Sequence, residues 1–218
     1  MKNKTVSMFR SCFLLFAGLM ITASAVRAQS AQTGSVVLFS DYTSAATGAA
    51  GRDTLFKLAN SHSTQIATVR VFFINRIDQS AEEYSVCLPA QQTISWRASE
   101  MDPGVAGIAY AVATDDAGRP VNFNWLSGAS AIIANSQQEP WRDATALAKL
   151  ASGATMPIKG FSTIRLDGEM YARLPEQFAA LLPGNALRVA ADPTECSLAF
   201  TYKRHFSDQR TLTSDRRN

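Results

Sequence analysis

The chain is 218 residues long, with 21 Lys and Arg against 18 Asp and Glu and a formal net charge of +3 at pH 7. Four of the basic residues (Lys2, Lys4, Arg10, Arg27) and none of the acidic ones fall in residues 1–28, so residues 29–218 carry 17 basic against 18 acidic, a net of −1. The basicity of the whole therefore gives no argument for nucleic acid as a partner, and the stretch after residue 28 is long enough for one good-sized core.

Lys2, Lys4 and Arg10 precede a short apolar run, Cys12–Ile21, and then a small-residue exit with Val26 and Ala28 at the two positions a signal peptidase reads. This order predicts a signal peptide over residues 1–28, cleaved after Ala28, with Ala25 the second choice. The run is about half of the roughly 20 residues a membrane span needs, and no later segment approaches one. The expected product is exported (periplasmic, cell-surface or secreted) without a transmembrane segment.

Beyond residue 28, short apolar runs alternate with turn residues. Ser35–Ser40, Thr54–Asn60, Ile66–Asn75, Glu83–Leu88, Thr93–Arg97, Val105–Thr114 and Val121–Leu126 read as strands, spaced as in a sandwich or barrel rather than in βαβ units. Val105–Thr114 is apolar and small throughout, which predicts a central strand covered on both faces. Asp115-Asp116-Ala117-Gly118 predicts a hairpin turn between the last two strands, because Asp accepts local backbone bonds and Gly supplies a positive φ. In Val121-Asn122-Phe123-Asn124-Trp125, period-2 alternation sends Phe123 and Trp125 inward and the two asparagines to solvent or a neighbouring strand.

Beyond Gly128 the pattern changes. Trp141, Ala144, Ala148 and Ala151 recur at helical spacing, Leu147 and Leu150 widen the stripe, and Pro140 and Gly153 suit the two ends; together they predict an amphipathic helix over 138–151. Asp167-Gly168, between Thr163–Leu166 and Glu169–Ala172, predicts a two-residue hairpin. A second short helix from Pro175 to Leu182 leads to strands at Ala186–Ala191 and Ser197–Lys203. The expected fold is all-β, an Ig-like β-sandwich over 29–203 with the helical insertion near 138–151 and the second short helix. Residues 204–218, basic and nearly devoid of apolar side chains, read as a disordered tail.

Signal removal leaves two cysteines, Cys87 and Cys196, an even number in an oxidising compartment. Both fall in apolar, strand-like sequence, so one disulfide is expected; two buried free thiols are the alternative. Cysteines 109 positions apart with no histidine nearby lack metal-ligand spacing, so no metal is expected.

The catalytic inventory is thin. His62 lies in a polar loop and His205 in the basic tail, neither in a His-Glu-x-x-His, and Leu126–Ser130 lacks the second glycine of a nucleophile elbow. Asp41, Asp53, Asp102, Asp115, Asp116 and Asp167 sit at turn positions and match no calcium loop. Trp96, Trp125, Tyr84 and Tyr110 read as core. Asn122 and Asn124, two amides on one strand face, are the candidate binding residues, with cross-strand hydrogen bonding as the plainer alternative. No cofactor is implied.

Three stretches carry a resemblance: Asp102-Pro103-Gly104-Val105-Ala106-Gly107, Pro120-Val121-Asn122-Phe123-Asn124-Trp125-Leu126-Ser127-Gly128 and Leu166-Asp167-Gly168-Glu169-Met170-Tyr171-Ala172-Arg173-Leu174-Pro175. Across roughly residues 34–175 the chain resembles an uncharacterised family of exported bacterial all-β proteins with D-P-G-x-x-G, P-x-N-F-N-x-L-x-G and L-D-G-x-x-Y-x-x-L-P motifs. It departs from that pattern at Arg119, where the family would have a cysteine, and in lacking the cysteine ahead of Cys87. The resemblance implies export and an all-β fold.

The functional expectation is an exported, non-catalytic binding module or surface or matrix structural module, not an enzyme, with a protein or cell-surface polymer as partner. The alternatives are a pilus-type or assembly component that pairs through a free strand, with Ser197–Lys203 the candidate, and a secreted hydrolase built on His62 or clustered carboxylates.

Overall fold

A computed structural model describes residues 32–46, 51–180, 182–193 and, for the backbone, 201–203. The expected signal segment with its cleavage site after Ala28, Cys196, His205 and the tail 204–218 lie outside the described residues.

The described chain is mostly β. In order it forms β1 (Val36–Thr43), β2 (Asp53–Asn60), β3 (Ala67–Asn75), β4 (Ala81–Leu88), β5 (Thr93–Arg97), a helical turn α1 (Ala98–Met101), β6 (Ala106–Thr114) and β7 (Leu126–Ala134). Three short pieces come next, β8 (Gln137–Gln138), β9 (Arg142–Asp143) and β10 (Thr145–Leu147), then β11 (Phe161–Arg165), α2 (Glu176–Ala179), a 3₁₀ turn (Pro183–Asn185), β12 (Ala186–Ala190) and β13 (Thr201–Lys203). One sheet runs β10-β1-β6-β3-β4-β13; a second runs β5-β2-β7-β8 with β9 also on β7; β11 and β12 pair separately. All strand pairs are antiparallel, and the sheets curl into a half-barrel.

Around β1, β3 and β6 the six-stranded sheet is buried on both faces, which explains the predominantly apolar sequence of these strands. Toward the second sheet, Val69, Val71 and Phe73 of β3 join Phe39, Tyr42, Phe56, Tyr84 and Trp96 in an aromatic core. Phe39 meets Phe56 edge-on at 5.0 Å, and Phe56 stacks on Trp96 at 5.5 Å. On the opposite face, Phe72 and Ile74 join Leu38, Tyr110 and Val112, and the segment carrying Ile164, Tyr171, Phe178 and Leu187 covers them. Each fully buried side chain of this size stabilises the fold by about 1.5–3 kcal/mol. That second face also holds a buried ion pair, Arg70 Nε to Glu83 Oε1 at 2.7 Å, with Arg70 also donating to the Ala190 carbonyl.

Six of the seven early strands form where expected, and the 115–118 turn closes, with Asp115 Oδ1 accepting from the Ala117 and Arg119 N–H groups. Three expectations are corrected. The helix expected over 138–151 is absent, and the short strands β8, β9 and β10 lie there instead: Ala146 enters one core and Leu147 the other, a period of two, because β10 takes its backbone partners from β1 at Val36–Leu38. Residues 121–125 form no ladder strand. The N–H groups of Phe123 and Trp125 turn back to carbonyls two residues earlier, at 3.1 and 2.9 Å, so alternation fails and Trp125 emerges 48% exposed while Phe123 is buried. Asp167-Gly168 does turn the chain, with Gly168 at φ +91°. β11 pairs with β12, however, and Tyr171 bridges to Lys149 instead of closing a two-residue hairpin. The second expected helix is present as the single turn α2, which starts directly after Pro175.

Candidate functional site

Asn122 and Asn124 converge on one peptide, that of Lys149. Both amide groups donate to the Lys149 carbonyl, at 3.1 and 3.0 Å, and the Lys149 N–H donates to Asn124 Oδ1 at 2.7 Å. Ser35 completes the arrangement: its hydroxyl donates to Asn124 Oδ1 at 2.7 Å and accepts the Phe123 N–H at 2.8 Å. The two amides thus act as a surrogate strand. Both amides hold the Lys149 peptide in place.

The residue they position is unusual. Lys149 is only 3% exposed, lies just after β10, and bridges to Tyr171 on the segment after β11. Its Nζ donates to the Ala151 carbonyl at 3.1 Å and lies 5.3 Å from the centre of the Tyr171 ring. Among the described residues no carboxylate pairs with it. An ammonium with one carbonyl acceptor and an aromatic face is incompletely compensated for lost hydration. Burial accordingly lowers the lysine's pKa below its ordinary value. Burial likewise pushes the Tyr171 phenol up to about 12, with the Thr155 hydroxyl opposing the shift. Beyond this mutual contact neither hydroxyl has a hydrogen-bond partner among the described residues. Ser162 anchors the strap beside them by donating to the Thr155 carbonyl at 2.9 Å.

This cluster adjoins a cleft of about 470 Å³, within the size range of small-molecule sites. Lys149, Ser152, Thr155, Thr163 and Arg165 supply its polar lining, while Met156, Ile158 and Phe161 supply apolar wall; no acidic side chain lines it. Met156 and Ile158 are largely exposed. Arg188 lies over the Phe161 ring at 4.2 Å, and Arg165 is 3.5 Å from Asp167. A second cleft, of about 320 Å³, lies between Gln65–Thr68 and Ala113–Asp116 and includes Asn122. Its Asp115 is engaged by Arg119 at 2.7 Å and by the turn.

The other singled-out residues are dispersed. His62 Nδ1 accepts the N–H groups of Thr64 and Gln65, which uses the lone pair a general base needs, and its ring rests against Phe123 and Trp125. Asp102 accepts the Tyr42 hydroxyl at 2.5 Å; burial first, and this carboxylate second, push that phenol well above its ordinary value. Asp53 accepts the Ser99 hydroxyl at 2.6 Å. Asp167 Oδ1 accepts the N–H groups of Glu169 and Met170, which holds its carboxyl below the usual range. Cys87 is buried on β4. Lys149, Thr155 and Tyr171 were not among the sequence candidates; Tyr171 alone fell within a singled-out stretch, Leu-Asp-Gly-x-x-Tyr, and it packs in the second core.

No family model and no curated protein matches the chain. Among solved structures it is similar to the crystal structure of Thermotoga maritima 1070, at 9% identity and a TM-score of 0.39 over 52% of this chain and 95% of that one.

Proposed function

We propose that the protein is an exported, non-catalytic binding module, Ig-like in broad architecture, whose ligand site is the Lys149 cleft. The observation that supports this most is a buried lysine, with no carboxylate partner among the described residues, at the edge of an open cleft with apolar walls. Polar groups that the fold leaves unpaired at a cleft are groups a ligand can pair. The resemblance to exported bacterial all-β proteins and the signal-like residues 1–28 support export. A protein or cell-surface polymer is the partner class, presenting a small group to the cleft. The strand-pairing alternative needs Ser197–Lys203 unpaired, whereas Thr201–Lys203 lies antiparallel on β4. A fragment screen read by methyl NMR should give saturable shifts at Met156, Ile158 and Met170, with every fragment recovered chemically unchanged. Shifts confined to other surfaces would remove the cleft from the proposal, and turnover of a bound fragment would replace the module with an enzyme.

A further inference from the structure

We infer that the Lys149 cleft recognises a carboxylate carrying an apolar tail. This rests on the cleft being the binding site, and it adds the chemistry of the ligand. The polar lining is cationic or neutral: Lys149, Arg165, Thr155, Ser152 and Thr163 contribute, and no Asp or Glu does. Lys149 Nζ has one carbonyl acceptor and so retains donors for an anion, and the Thr155 hydroxyl is a neutral donor beside it. A carboxylate accepts through two oxygens and gains most where competing water is displaced. The apolar half of the ligand is read from the walls: Met156, Ile158, Phe161 and Met170 offer aliphatic, thioether or aromatic surface with few polar atoms.

The surrounding charges agree with this reading. Arg165 at the cleft is only loosely paired with Asp167, Arg188 stacks on Phe161, and Arg119, held by Asp115, reaches the Met156 sulfur at 3.9 Å. Three arginines thus lie at or near the cleft while no acidic side chain lines it, so the local field favours an incoming anion. A free fatty carboxylate and the C-terminus of an apolar peptide share this chemistry.

Calorimetry and methyl NMR with four probes distinguish these sources: octanoate against octanol, and N-acetyl-leucyl-leucine against its C-terminal amide. We expect at least one acid to bind saturably and to shift Met156, Ile158 and Met170, with affinity about tenfold or more above its neutral counterpart and reduced by a similar factor in Lys149→Met. The acid that binds more tightly identifies the source, and equal binding supports the shared chemistry alone. Equal affinity for acids and neutral probes overturns the carboxylate inference but leaves the cleft a binding site. No binding by any of the four also overturns the inference, and the fragment screen alone then judges the cleft. Should Lys149→Met fail to fold, wild-type protein decides: acid affinity that falls as rising pH discharges the lysine supports the inference, and affinity independent of pH overturns it.

Discussion

Lys149 sits in a position that costs stability, and its surroundings say how that cost varies with pH. Burial lowers its pKa below the ordinary 10.5. Between the lowered value and 10.5 the unfolded chain binds more protons than the folded one, so stability rises with pH across that window. Below the window the penalty of a buried ammonium is fully present. Lys149→Met keeps the stem and removes the charge, and buried charges replaced by apolar groups are often neutral or stabilising. On the acid side of the window the variant should be more stable than the wild type by about 1–2 kcal/mol, with the gap closing as pH rises. Urea unfolding of both proteins at several pH values measures this. A variant that is less stable by a constant amount at every pH would mean that the lysine is a structural prop. The same residue shows the limit of reading a site from sequence. Asn122 and Asn124 were visible as paired amides, but the peptide they hold lies 25 positions beyond Asn124 and carries no local signal.

At the scale of elements, the 121–126 segment separates two kinds of sequence evidence. Alternation places Phe123 and Trp125 on one face, yet the backbone turns back on itself and is held to Gly34 and Ser35 instead of forming a ladder. Phe123 is in the aromatic core and Trp125 is half exposed beside His62. Phe123→Ala should therefore cost about 3–5 kcal/mol, and Trp125→Ala, which loses a half-exposed side chain, about 1–2 kcal/mol. Thermal denaturation of the two variants checks the contrast; comparable losses would restore the alternating strand. The 138–151 helix fails for a related reason. Its apolar spacing fits a period of 3.6, but β1 offers an unpaired edge, and pairing Thr145–Leu147 to it buries residues on both faces of a sheet. Helical propensity is a weak preference beside such tertiary pairing. By contrast β3 and β6 were legible because burial on both faces writes itself into every residue. Gly107 of the Asp-Pro-Gly-x-x-Gly stretch is a packing residue: a Cβ there would fall 1.8 Å from the Ile74 carbonyl oxygen.

For the whole molecule, one sheet between two cores sets the design. The all-β class can be read from many short apolar runs, whereas the second core, built by residues 161–190 on the outer face, depends on long-range contacts that no local pattern encodes. Covalent closure across the same sheet is expected: Thr201 stands opposite Ser85, two residues from Cys87 and five after Cys196. A Cys87–Cys196 bond would stabilise the fold by about 4–5 kcal/mol on the chain-entropy view. Mass spectrometry of exported protein alkylated without reduction should find no adduct on either cysteine and an N-terminus at Gln29; two adducts would exclude the bond. The Asn-Phe-Asn and Leu-Asp-Gly-x-x-Tyr stretches meet to hold a buried Lys149 at the proposed ligand cleft. NMR titration of the lysine side-chain amines, with Lys149 assigned by its substitution, tests it most directly. Its pKa should lie below those of the other lysines and rise when a tailed carboxylate such as octanoate is added, because the bound anion favours the ammonium. A Lys149 that titrates with the surface lysines and ignores the acid would contradict it.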